Sequence, residues 1–121
     1  DRSVSRGLGD VYKRQLLKYA GLNITTAKNG LEGLDKFKAA PPGTYALILM
    51  DIQMPVMNGL EAAKAIRALP VKDAQTVPIV AMTANAFPED IAATLQAGMN
   101  EHLSKPIDLE QFHSILQKWC Q

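Results

Sequence analysis

Two uninterrupted apolar runs constrain this chain more than anything else in it. Tyr45-Ala46-Leu47-Ile48-Leu49-Met50 and Val77-Pro78-Ile79-Val80-Ala81-Met82 are each of strand length, and neither alternates with polar residues. A strand wetted on one face alternates; a strand covered on both faces does not, and such strands belong to parallel sheets flanked by helices. Pro78 lacks an N–H and so belongs near the start of its strand. Around the runs lie apolar residues at helical spacing: Leu31, Leu34 and Phe37; Ala63, Ile66 and Leu69; Ile91, Leu95 and Met99; and Leu109, Phe112, Leu116 and Trp119. Asn29, with Glu32 three residues on, caps the first helix, and Pro41-Pro42-Gly43 ends it. Pro70 closes the second, Gly98 lies near the end of the third, and Asp108 with Gln111 forms a capping box for the last. Shorter strands are predicted at Ile24-Thr25-Thr26-Ala27 and at His102-Leu103-Ser104. The alternation predicts βαβ units, hence an α/β domain built on a doubly wound parallel sheet.

A chain of 121 residues makes one domain, large enough to bury about two-thirds of its unfolded surface. The single Cys120 rules out an internal disulfide and a Cys-rich metal site, and is read as an exposed thiol. No apolar run approaches the ~20 residues of a membrane helix, and no secretory signal is visible. The expectation is a soluble, cytoplasmic protein without direct membrane contact. A net charge of +1 argues against an extended nucleic-acid surface. His102 and His113 fall on different elements, which argues against zinc. Gly7-Leu8-Gly9 lacks both the preceding strand and the third glycine of a dinucleotide loop.

In open parallel sheets, ligands bind at the carboxyl ends of the strands. Asp51, Thr83 and Lys105 all fall at such ends. Taken singly, each has an ordinary explanation as a turn, cap or solvated residue. Together on one rim, a carboxylate, a hydroxyl and an ammonium suit a phosphoryl group: the first as nucleophile, the second as hydrogen-bond donor, the third offsetting oxygen charge. In the loop that follows Asp51, Pro55 prevents an early helix start and Gly59 permits a close turn. Met54 and Met57 are read as packing residues.

Asp51-Ile52-Gln53-Met54-Pro55-Val56-Met57-Asn58-Gly59 resembles the phosphorylation loop of the response-regulator receiver family. Met82-Thr83-Ala84, and Lys105-Pro106 after Gly98-Met99-Asn100-Glu101-His102, resemble its other signatures, and the likeness covers residues 16–121. The resemblance implies a flavodoxin-like fold with strand order 2-1-3-4-5, as in chemotaxis receivers. It implies Asp51 as the phosphoacceptor, taking a phosphoryl group from a partner phosphohistidine, with Thr83 bonding a phosphoryl oxygen and Lys105 pairing with the group. It further implies Mg²⁺ held by Asp51 and the Gln53 carbonyl, a cis peptide before Pro106, and a switch made by Thr83 and His102. An ordinary strand histidine remains the alternative for His102. The implied partners are a histidine kinase dimerisation domain or a histidine phosphotransfer protein. The stretches around Thr83 and Gly98 are similar to receivers of hybrid sensor kinases, which implies a C-terminal receiver of a larger, membrane-bound sensor.

The start of the chain departs from this pattern. Receivers open with an apolar strand ending in an acidic pair that holds Mg²⁺. Counting back from Leu16-Leu17 puts the pair near Ser3 and Val4, which carry no carboxylate, with Asp1 and Asp10 out of register. Ser3-Val4-Ser5 reads as too short for a core strand, followed by a helix from Asp10 through Val11, Tyr12, Leu16 and Tyr19 to Gly21. The first strand is therefore expected to be absent or replaced. Residues 1–15 also carry a net +2 where the remainder carries −1. They are read as a non-native adaptor, cloning or assembly scar, with residues 16–121 as the receiver domain; the rival is a naturally degenerate receiver. Three functions stay open: a phosphoacceptor impaired by the missing pair, an unphosphorylated protein-interaction module, and a flavodoxin-like small-ligand binder. None is an enzyme beyond self-phosphorylation and autodephosphorylation.

Overall fold

The computed structural model describes residues 3–6, 23–26, 29–41, 43–52, 56–84, 87–104 and 108–119. In chain order they form β1 (Ser3–Arg6), β2 (Asn23–Thr26), α1 (Gly30–Ala39), β3 (Tyr45–Asp51), α2 (Gly59–Arg67), α3 (Lys72–Thr76), β4 (Ile79–Thr83), α4 (Pro88–Gln96), β5 (Glu101–Ser104) and α5 (Leu109–Trp119). The five strands make one sheet in the order β2-β1-β3-β4-β5, and every pairing is parallel. The helix expected from Asp10 to Gly21 and the thiol of Cys120 lie outside the described residues.

The two apolar runs behave as their composition requires. All seven residues of β3 and all five of β4 are buried. Alternation divides them between two layers. Ile48, Met50, Ile79 and Ala81 join Phe37 of α1, Ala62, Ala63 and Ile66 of α2, and Ala74 of α3. Leu47, Leu49, Val80 and Met82 join Leu103 and, from α5, Phe112 and Ile115. Pro78 sits just ahead of β4, where its missing N–H costs nothing, and its carbonyl accepts from the Ile48 N–H at 2.8 Å. The Asn29 side chain caps α1 by accepting from the Glu32 N–H at 2.8 Å. At α5, Asp108 accepts from the Glu110 N–H at 2.9 Å.

The first-strand position is not empty, which corrects the expectation that Ser3-Val4-Ser5 is too short for the core. Ser3–Arg6 lies in the sheet interior, paired with β2 on one side and β3 on the other. Bonding from both sides compensates for four residues of weak strand character. The register also corrects the place expected for the acidic pair. Ser3 and Val4 pair with Tyr45 and Leu47, at the end of β3 remote from Asp51, while Arg6 pairs with Leu49, two residues before Asp51. α3 has no sequence counterpart above; its five residues bury Ala74 alone and carry no helical stripe.

The last helix is tied to the edge strand through Glu101. The Trp119 Nε1–H donates to its carboxylate, and the Lys118 ammonium lies 3.1 Å from the same oxygen. Burial alone would raise the Glu101 pKa, but the bonds from Trp119 and Lys118 and the charges of Lys118 and His102 outweigh it and hold the group below its usual value. A depressed folded pKa means stability that is fully present above the unfolded carboxyl value of about 4.3 and lost as pH falls through the folded value. Glu101→Gln is therefore expected to lower the urea midpoint at pH 7 and to make progressively less difference as pH falls below 4. An equal loss at both ends of that range would refute the assignment.

Candidate functional site

The carboxyl ends of β3 and β4 bring Asp51 and Thr83 to one rim. Asp51 pairs with Met82 across the sheet, and Thr83 is the next residue of β4. Both are buried, at 8% and 5% exposure. The Ile52 N–H donates to the Met82 carbonyl at 3.1 Å, so the pairing continues one residue past Asp51. Among the described residues the Thr83 hydroxyl oxygen has no hydrogen-bond partner. It lies beside a cavity of about 80 Å³ lined by Leu60 of α2 and by Asp90, Ala93 and Thr94 of α4. A buried hydroxyl without a partner is costly, so its persistence at the rim calls for an explanation.

The loop between Asp51 and α2 is closed by backbone contacts. The Gly59 N–H donates to the Ile52 carbonyl at 3.1 Å, and a Cβ on Gly59 would sit 2.3 Å from the Asp51 oxygen. The close turn expected at Gly59 is therefore obligatory. Asn58 and Glu61 form a reciprocal capping box, with the Glu61 N–H to Asn58 Oδ1 at 2.9 Å and the Asn58 N–H to Glu61 Oε1 at 3.3 Å. A further support comes from α1: the Gly30 N–H donates to the Met57 carbonyl at 2.9 Å, and a Cβ there would lie 2.3 Å from that oxygen. Met57 packs against the core as expected. Val56 is held at φ 68° with 79% exposure, an unfavourable conformation for a β-branched residue. Strain of this kind persists where surrounding bonds over-determine the backbone, and the Gly30 N–H bond to the adjoining Met57 carbonyl is one such bond.

The remaining candidates divide cleanly. Ser104 pairs with Thr83, and Lys105 follows it directly in sequence. Lys105 itself, with Gln53, Met54, Pro55 and Pro106, lies outside the described residues. His102 pairs with Ala81 on the edge strand and is half-buried, in a groove with Ser104, Gln111 and Ser114. The sequence reading passed over Gly30 and Glu61. The Asn58-x-x-Glu61 spacing is a capping signature that was legible; the role of Gly30 depends on a contact between distant segments and has no local signal.

The donor set for a hard divalent cation is thin. Among the described residues no three His, Cys, Asp or Glu side chains come together as a metal site. Beyond Arg6 the sequence runs Gly7-Leu8-Gly9 before the first carboxylate, Asp10. Mg²⁺ takes near-octahedral oxygen ligation with one or two carboxylates in support; among the described residues the rim offers Asp51, with Asp90 on the cavity beside Thr83.

The sequence profile of the family described as response regulator receiver domain matches residues 11–117. The chain belongs to this receiver family. A peroxide stress-activated histidine kinase, mak1, of Schizosaccharomyces pombe is 38% identical over 101 residues, covering 83% of this receiver but 6% of the kinase. Receiver and curated relative are thus alike in one segment of a far longer protein. The receiver domain of sensor histidine kinase PA1611 from Pseudomonas aeruginosa PAO1, solved with a magnesium ion in its active-site cleft, superposes with a TM-score of 0.82 at 32% identity. That match covers 98% of this chain and 96% of the other. The receiver domain of Ssk1, crystallised with the histidine phosphotransfer protein Ypd1 of Saccharomyces cerevisiae, gives a TM-score of 0.81 at 29% identity over 98% of this chain and 88% of the other. The receiver fold with its flavodoxin-like parallel sheet is common to all of them, as is the setting in two-component signalling.

Proposed function

We propose that this receiver accepts a phosphoryl group from a partner phosphohistidine onto Asp51, and that loss of the acidic pair slows the reaction in this chain. The observation that carries the reading is that the buried Asp51 ends β3 and that Thr83, one residue past its pairing partner Met82, ends β4 at the same rim with a buried hydroxyl that has no hydrogen-bond partner among the described residues. In the transfer, an Asp51 oxygen forms a bond to phosphorus as the phosphorus–nitrogen bond breaks; with the other ring nitrogen of the phosphohistidine already protonated, the ring leaves as neutral imidazole and Asp51 becomes an acyl phosphate. Thr83 donates to a phosphoryl oxygen, Lys105 offsets its charge, and Thr83 with His102 forms the switch. A magnesium ion, when bound, would offset negative charge between donor and carboxylate. Asp51 and the Gln53 carbonyl are the ligands the receiver pattern assigns in this chain, and a site left with those two would be weak.

The partner kind, a histidine kinase dimerisation domain or a histidine phosphotransfer protein, is supported by the Ssk1–Ypd1 complex. Origin as the C-terminal receiver of a cytoplasm-facing hybrid sensor kinase is supported by the similarity to long histidine kinases. No helix among the described residues is long and apolar enough to cross a membrane. Residues 1–15 are read as non-native, on their charge and on the want of a carboxylate between Arg6 and Asp10. The same want favours a second reading, a degenerate receiver that only binds partners. Sequencing the source gene upstream bears on origin: finding these codons in an intact genomic frame would make the chain naturally degenerate.

The deciding experiment is incubation with Mg²⁺ and acetyl phosphate, followed by intact mass. One phosphoryl adduct is expected on the unchanged chain and none on Asp51→Asn. Grafting a receiver-type first strand ending in two carboxylates is expected to raise the labelling rate at least tenfold. An unlabelled parent whose graft also stays silent would overturn the phosphoacceptor reading in favour of the interaction module.

A further inference from the structure

α2 is held at both ends by contacts that leave no slack, and the two ends face different parts of the molecule. Its first residue, Gly59, lies against the Asp51 carbonyl with no room for a Cβ. Its middle is seated on the sheet through Ala62, Ala63 and Ile66, at 0%, 0% and 1% exposure, and close packing there makes the helix respond as one rigid body. Its last residue, Arg67, makes three bonds to two separate segments. Nε donates to the Gly98 carbonyl at 2.9 Å, Nη1 to the Ala74 carbonyl at 3.0 Å, and Nη2 to Asn100 Oδ1 at 2.9 Å. Asn100 Oδ1 also accepts from the Ile79 N–H at 2.9 Å, and the Asn100 N–H donates back to the Ile79 carbonyl at 2.8 Å. Gly98, at φ 93°, leaves space that the Arg67 stem fills; a Cβ there would lie 2.8 Å from Arg67 Cγ.

On one side Arg67 grips the turn that follows α4, a helix with little buried surface. Thr94 is the only buried residue of α4, while Phe87 at its N-cap and Leu95 near its end are 57% and 58% exposed. α4 carries Glu89 and Asp90 in its first turn and no basic residue in its last. The cation that its terminal carbonyls favour comes instead from α2, through Arg67. These acceptors are all neutral oxygens, so the guanidinium makes charge-assisted bonds without forming an ion pair here. Burial pushes the Arg67 pKa downward, as expected of a group taken out of water.

We propose that Arg67 is a positioning residue through which α2 carries displacements of the loop after Asp51 to the end of α4 and the entrance of β5. The clamp stands on geometry alone; its use in signalling rests on Asp51 being the phosphoacceptor. α2 acts as a strut, pinned to the Asp51 backbone at one end and to the Gly98–Asn100 turn at the other.

The test is residue-level amide hydrogen exchange on the full chain and on Arg67→Met, which keeps the aliphatic stem and loses the donors. Without phosphodonor, exchange at Ala97, Gly98 and Met99 is expected to accelerate at least tenfold in Arg67→Met, with β3 amides unchanged. Unchanged rates, or equal acceleration everywhere, would overturn the clamp. Arg67→Lys, which keeps charge and one donor nitrogen, is expected to fall between the two and decides the matter if Arg67→Met does not fold. With acetyl phosphate, the adduct is followed by intact mass in the same samples. Modification is expected to change exchange at those three amides by several-fold in the parent, and to leave them unmoved in a modified Arg67→Met chain. A response surviving in Arg67→Met would overturn the transmission. Where the parent takes no adduct, the same comparison is made in the chain carrying the grafted first strand; no adduct there refutes the phosphoacceptor reading, and with it this use of the clamp, while the clamp is judged by the first comparison.

Discussion

Gly59→Ala is expected to destabilise the domain by about 3 kcal/mol, an unusually large effect for one added methyl group. The new Cβ would lie 2.3 Å from the Asp51 carbonyl oxygen and 2.9 Å from its carbon, both backbone atoms that cannot rotate aside. Relief requires the start of α2 or the end of β3 to move, and either breaks the Gly59 N–H bond to Ile52. The ordinary preference of helices for alanine over glycine returns at most about 1 kcal/mol. A fall in Tm on the order of 10 °C is the expected reading in a thermal melt. Gly43→Ala is the instructive comparison. Gly43 has φ 82° but nothing within 4 Å of its would-be Cβ, so it suffers from conformation alone and should cost about 1 kcal/mol. If Gly59→Ala melts no lower than Gly43→Ala, the close approach to Asp51 is not as tight as described.

Phe112→Ala is expected to cost about 3–5 kcal/mol, a large share of the 5–15 kcal/mol that holds a typical domain together. Phe112 is fully buried and is the largest side chain in the layer formed with Leu47, Leu49, Val80, Met82 and Leu103. Those five residues come from three different strands, so no single neighbour can fill the space left behind. Urea denaturation is expected to show a lower midpoint with unchanged slope, since the loss is one of packing rather than of compactness. A midpoint shift worth less than about 1 kcal/mol would mean that α5 settles onto the sheet and closes the cavity.

How far the sequence alone could be read depended on whether the cause was local. Tyr45–Met50 and Val77–Met82 announced buried strands because an apolar run has few other uses at that length. Asn29, Asp108 and Gly59 announced turns and caps because their effects reach only a few residues along the chain. β1 was not legible: Ser3-Val4-Ser5-Arg6 has one apolar residue in four, and its strand state comes from bonding to β2 and β3 on either side. α3 was missed for a similar reason, since only its contact with the core through Ala74 distinguishes it from a loop. At the site, Asp51 and Thr83 were visible as polar residues ending apolar runs. Arg67 was invisible because its partners are two backbone carbonyls and an amide oxygen, which leave no complementary residue type to look for.

The strand order carries a consequence for the sequence of events during synthesis. β3, β4 and β5 emerge in the order in which they pair, each joining the strand made before it. Ser3–Arg6 leaves the ribosome ahead of both its neighbours, and Tyr45–Leu49, which complete its pairing, follow only after β2 and α1 have been made. The earliest residues must therefore wait, then insert as a four-residue wedge between two strands that appear later. While the slot stays open, the longest and most apolar strand of the sheet presents a bare edge. A second copy of this sequence carries the same wedge, and is as able to fill the slot as Ser3–Arg6 of the first.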